Sequence, residues 1–150
     1  MKTRMRSFCA VLLAVVIAFG SMLPIYAEEA AVASEIQPRF DHTYSAHFSF
    51  VVIEPGAGNF GVSYYANDDT FMLAKLTVVF QKRVLGLFWQ TVDIGTTNNE
   101  WVAYCTDVDG DFYDTVMLDG TGVYRALFKL EIHGELTSDV IEETIDYQFG

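Results

Sequence analysis

The chain has 150 residues, 20 of them acidic and nine basic, with 51% apolar side chains and a net charge of −11. That length is one ordinary domain, and the charge excludes a nucleic-acid binder, which needs a basic footprint. It also argues against electrostatic docking on anionic membranes or teichoic acids. It suits a cation or a basic partner, although a solvated acidic surface, common in exported proteins, is the simpler reading.

In chain order, the first feature is an export signal over residues 1–27. Lys2, Arg4 and Arg6 form a positive start, an uncharged apolar run follows from Phe8 to Leu23, and Pro24 precedes a small-residue cleavage site at Ile25-Tyr26-Ala27. The uncharged stretch from Ser7 to Ala27 has the length of a membrane-spanning helix, so retention as an anchor is the alternative. Gly20, Ser21 and Pro24 shorten its apolar part, and Glu28 and Glu29 follow at once, which favours cleavage. Cys9 opens the apolar run, whereas a lipid-anchored cysteine would follow it. Cleavage removes three basic residues and leaves six against 20 acidic, a net charge of −14. The expected product is secreted, with no stable membrane insertion.

Residues 28–37 are Ala/Glu-rich without a sustained period and read as a flexible leader. Pro38-Arg39-Phe40 begins a single domain over 38–150. From there the period is two. Tyr44, Ala46, Phe48 and Phe50 fall on one face of a strand, with Ser45, His47 and Ser49 on the other, and Pro55-Gly56-Ala57-Gly58 breaks it. Phe60, Val62, Tyr64 and Ala66 face inward on the next. Met72, Ala74, Leu76, Val78 and Phe80 do so over 71–82, with Lys75, Thr77 and Gln81 outward. Short strands are expected at 88–94, 101–106 and 115–118, the last two separated by an acidic loop. Over 124–133 the inward row is Tyr124, Ala126, Phe128, Leu130 and Ile132, and Ile141, Ile145, Tyr147 and Phe149 alternate with polar residues in the last strand.

Some seven to eight short strands between Gly/Asn/Asp turns predict an all-β fold, one antiparallel Ig-like β-sandwich in which each sheet keeps one wet face. After cleavage Cys105 is the single cysteine, so no internal disulfide can form and the core must hold the fold outside the cell. Cys105 lies in the apolar run 101–105 and reads as a buried small hydrophobe, with no basic neighbour in sequence to make a thiolate.

Three groups of residues are candidates for chemistry. Asp107, Asp109, Asp111 and Asp114, with Asp119 nearby, alternate as oxygen ligands for Ca²⁺ could. As an EF-hand the segment fails, since Phe112 stands where glycine is expected and Leu118 where glutamate is. A looser Ca²⁺ site shared with a neighbouring loop remains an alternative to a solvated Asp/Gly turn, which is the favoured reading. Aromatic side chains are the second group: Phe112 and Tyr113 in the acidic loop, and Tyr65, could stack on a sugar or dock on a protein. Trp89 and Trp101 sit in strand contexts and are expected in the core. Third, His42, His47 and His133 do not have zinc-site spacing and default to the surface. No nucleophile elbow, metalloprotease helix or phosphate loop is present.

Pro38-Arg39-Phe40, the strand Leu76-Thr77-Val78-Val79-Phe80-Gln81-Lys82-Arg83 with Trp89 soon after, and Gly122-Val123-Tyr124-Arg125 resemble the pattern of small secreted β-sandwich proteins of Gram-positive bacteria, a largely uncharacterised group. The resemblance spans roughly residues 38–149 and implies a single sandwich without catalytic residues to transfer. The chain departs from that group in strands that are acidic and aromatic rather than Ser/Thr/Lys-rich. The expectation is a non-enzymatic binding module for an extracellular protein or a glycan, needing no cofactor. The alternatives are a carbohydrate-binding module with structural Ca²⁺ and a small hydrolase using loop carboxylates.

Overall fold

The computed structural model describes residues 34–36, 41–54 and 56–150. The segment expected to be an export signal, and all but Ser34–Ile36 of the expected leader, lie outside the described residues. Among the described residues there are nine strands and no α-helix: β1 Ser34–Ile36, β2 Thr43–Glu54, β3 Ala57–Ala66, β4 Phe71–Val84, β5 Phe88–Thr91, β6 Glu100–Cys105, β7 Asp109–Met117, β8 Gly122–Gly134 and β9 Ser138–Phe149. Every pairing is antiparallel. One sheet runs β1-β2-β3-β7. The other runs β5-β4-β8-β9, with β6 following β5 along the same side of β4.

The two sheets form the sandwich that the alternation predicts. Ala46, Phe48, Phe50 and Val52 of β2 and Phe60, Val62 and Tyr64 of β3 face Ala74, Leu76, Val78 and Phe80 of β4 and the whole inward row of β8. Rings meet edge-on across the gap, Phe48 on Phe128 at 5.5 Å and Phe60 on Phe80 at 5.2 Å, the geometry that aromatic quadrupoles prefer. Strand order is not that of an immunoglobulin domain, because β2 neighbours β3 where that fold places its fifth strand.

Three local departures shape the surface. Ser34–Ile36 pairs with β2 as a short rim strand inside the segment that reads as a leader. The register shifts between Thr43 and Ser45 and again between Phe71 and Leu73. Each bulge inserts one extra residue, so Tyr44 and Met72, expected inside, are exposed, while Thr43 is buried and Phe71 packs on the core instead. Finally, the expected acidic loop is a strand: β7 starts at Asp109 and pairs with β3 from Tyr65↔Asp109 to Ala57↔Met117.

A polar cluster closes the end of the sandwich where β2 begins. His42, also expected at the surface, is buried. Its ring nitrogens hydrogen-bond Thr70 Oγ1 at 2.9 Å and Thr137 Oγ1 at 2.6 Å. The buried Asp139 carboxylate accepts from the His42 backbone N–H at 2.8 Å and from the Thr43 hydroxyl at 3.0 Å. All donors are thus satisfied, as burial demands.

Candidate functional site

The outer face of the first sheet carries the chemistry that the core leaves over. Cross-strand register sets its side chains in rows over β2, β3 and β7: Ser45–Tyr65–Asp109, then His47–Ser63–Asp111, then Ser49–Gly61–Tyr113. Ser45, His47, Ser63, Tyr65 and Asp109 line a surface depression of about 340 Å³. Tyr65 is 47% exposed and packs on Tyr44 with ring centroids 5.4 Å apart. The bulge that turns Tyr44 outward therefore builds one wall of aromatic surface beside the depression.

Tyr113 supplies a second aromatic platform. It is 68% exposed, and it lies across Gly61 so closely that a Cβ there would come within 2.5 Å of the ring. Its hydroxyl meets Ser63 Oγ at 3.3 Å. A glycine under a cross-strand aromatic lets the ring lie flat on the sheet, covering bare backbone with one face and offering the other to solvent. Between the platforms, Asp109 and Asp111 project from alternate positions of β7 and are exposed. Two residues along a strand are about 6.7 Å, so Tyr65 and Tyr113, two rows apart on adjacent strands, are separated by roughly 14 Å at the backbone.

Beneath this face Tyr64 anchors the connection into β7 by donating its phenolic hydrogen to the Asp107 carbonyl at 2.6 Å. Burial foremost, then Cys105, and then the Asp107 and Asp109 carboxylates push the phenol far above its ordinary range, so it stays a donor.

The four aspartates offered as a Ca²⁺ set are not gathered. Because the segment is a strand rather than a loop, its period of two sends neighbours to opposite faces. Asp109 and Asp111 point outward with Tyr113, and Asp107 lies in the connection ahead of β7. Asp114 is on the other side, accepting Trp101 Nε1–H at 2.7 Å and so tying β7 to β6 across the two sheets. Among the described residues no three His, Cys, Asp or Glu side chains cluster as a metal site would require. Phe112, read as a ligand contact, is buried instead, stacked on Tyr64 at 5.8 Å and meeting Trp101 at 6.5 Å.

Trp101 packs on the core as expected, edge-on to Phe60 at 4.9 Å. Trp89 does not. It sits on the outer face of the second sheet, with the Arg125 guanidinium 3.9 Å and that of Arg83 6.0 Å from its ring centroid. Arg125 also holds Asp146 through Nε at 2.8 Å and Nη2 at 3.3 Å. Cys105 is half-buried against the core. His133 hydrogen-bonds Ser138 at 2.8 Å on that outer face, and His47 is exposed beside the depression.

Of the residues singled out from sequence, the structure brings Tyr65, Tyr113, Asp109 and Asp111 onto one face. Sequence reasoning missed Tyr44, whose exposure follows from the bulge, and Gly61, whose meaning appears only once Tyr113 is placed opposite it. Compared with protein-family models and with curated proteins, the chain matches none.

Proposed function

We propose that this chain is an exported, non-enzymatic binding module that takes a carbohydrate chain on the outer face of its first sheet. The observation that carries the reading is the pairing of two solvent-facing tyrosine platforms, Tyr65 and Tyr113, on one sheet face that also bears exposed carboxylates. Pyranose rings present flat C–H faces that stack on aromatic rings. Their hydroxyls donate to carboxylates and to serine oxygens. A platform spacing of roughly 14 Å suits a short oligosaccharide lying along the strands rather than a single sugar. The carboxylates select neutral or basic glycans and repel acidic ones.

A glycan array followed by calorimetric titration tests this. Neutral or amino-sugar oligosaccharides should bind, and Tyr113→Ala and Tyr65→Ala should each weaken binding by about fivefold, as loss of one stacking partner worth roughly 1 kcal/mol implies. Absence of any glycan ligand, or binding unchanged in both variants, removes the reading.

A further inference from the structure

The hairpin joining β4 to β5 ends in Val84-Leu85-Gly86-Leu87-Phe88, with Val84 paired to Phe88 and Leu87 N–H bonded to the Val84 carbonyl at 3.1 Å. Leu85 is 82% exposed and Leu87 78% exposed, and Phe88 is also open to solvent. Leu85 has φ of +53° and Gly86 of +69°. Two successive left-handed residues make a tight hairpin turn that Asn-Gly or Gly-Gly forms at least cost. A leucine in that position carries the steric penalty of its Cβ and gains no burial in return. The fold has no use for this side chain, which points to a use outside the fold.

What surrounds the tip identifies the partner. Behind the leucines, on the outer face of the second sheet, stand Arg83, Trp89 and Arg125, with Lys82 reaching the Asp119 carbonyl on the adjoining side. From the apex inward the order is aliphatic, then tryptophan and arginine. That is the order a lipid surface imposes, hydrocarbon first and then the headgroup layer where Trp and Arg settle. Ile53 and Met117 of the first sheet are exposed toward the same end. The chain as a whole is acidic, which disfavours an anionic surface, but the Arg83 and Arg125 guanidiniums that stack on Trp89 behind this tip stand where the phosphate layer of a zwitterionic lipid would meet them, Arg125 while also holding Asp146.

We infer that the β4–β5 hairpin is a membrane-contact element that inserts Leu85, Leu87 and Phe88 into the outer layer of a phospholipid bilayer. It is independent of the saccharide reading, which concerns the other sheet. The test is co-flotation of the mature chain with vesicles of phosphatidylcholine, alone and with phosphatidylglycerol, together with quenching of its tryptophan fluorescence by brominated lipid. The wild type should float with phosphatidylcholine vesicles, and no more with the anionic mixture, whose charge the acidic chain opposes; the quenching should be lost in Trp89→Phe. The double variant Leu85→Asn, Leu87→Asn should lose binding by about tenfold or more per leucine. Its thermal melt should stay equal or rise, because asparagine tolerates the left-handed turn. A wild type that stays in solution with both vesicles, or a double variant that floats as well as the wild type, overturns the inference. So does a concentration-dependent dimer that the double variant dissolves, which would assign the tip to a second copy of the chain.

Discussion

Gly61 and Gly110 lie one strand apart and face opposite sides of the same sheet, and a methyl group separates their roles. At Gly61 an added Cβ would meet the edge of the exposed Tyr113 ring at 2.5 Å, with the Phe112 carbonyl at 3.3 Å. At Gly110 it would meet the Tyr64 ring and hydroxyl at 2.5 Å, and Tyr64 is buried and fastened to the Asp107 carbonyl. Gly61→Ala should therefore leave stability within about 1 kcal/mol, since alanine also spares the unfolded-state entropy of glycine. It should cost glycan affinity, because the platform is lifted off the sheet. Gly110→Ala should destabilise by about 2 kcal/mol or more through overpacking. Urea unfolding of both variants, beside titration of Gly61→Ala, measures the difference.

Glu131 allows a second test at this scale. Burial raises its carboxyl pKa, but the Lys129 and Lys75 ammoniums at 3.2 and 3.3 Å outweigh that, and the net value lies below the ordinary 4.5. A depressed carboxyl contributes stability that is present above its unfolded pKa and lost as pH falls through the folded one. Glu131→Gln should cost less than about 1 kcal/mol at neutral pH, as partly solvated pairs do. The gap should close as acid takes pH below the ordinary glutamate range. Denaturant midpoints of the two proteins across that pH series check both the size and the sign.

Among the elements, β4 and β8 were legible from sequence almost residue by residue. Their apolar positions alternate over ten or more residues, and each lies between neighbours, so burial on one face enforces the register. The strands at the rims were less so. The sequence of β7 opens Asp109-Gly110-Asp111, whose turn-like composition hides a strand that exists because Gly110 admits the Tyr64 ring and Phe112, Val116 and Leu118 reach the core. Tyr44 and Met72 were misplaced for one reason: a bulge shifts parity by one and leaves no mark in an alternating pattern. Trp89 reads as core by composition, but its partners are arginines from β4 and β8, a contact between strands that linear sequence does not display. The candidate site was half visible. Tyr65, Tyr113 and the carboxylates could be named, whereas their shared face depended on the pairing of β3 with β7.

At the scale of the whole molecule, acidity and the free state of Cys105 bear on stability. Seventeen of the twenty carboxylates fall within residues 38–150 and repel one another, and among the described residues Cys105 is a free thiol with no disulfide to restrain the unfolded chain. Sodium chloride should therefore raise the melting temperature of the domain over 38–150 between low and physiological ionic strength by screening that repulsion. Reductant should leave the melt unchanged. A calorimetric series with and without reductant reads both. A melt that drops with salt would show that the ion pairs of the second sheet outweigh the surface repulsion.

β4 is the longest of the described strands, 14 residues from Phe71 to Val84, or about 46 Å at ordinary strand rise. It runs from the end where Phe71 meets Tyr64, beneath the sheet-face depression, to the hairpin apex at Leu85. It would act as a ruler: were a glycan on the tyrosine face and a membrane under the apex bound as proposed, a stiff rod would hold them apart and let both be occupied together. Two modest affinities joined by such a spacer would then multiply wherever both targets lie on one surface.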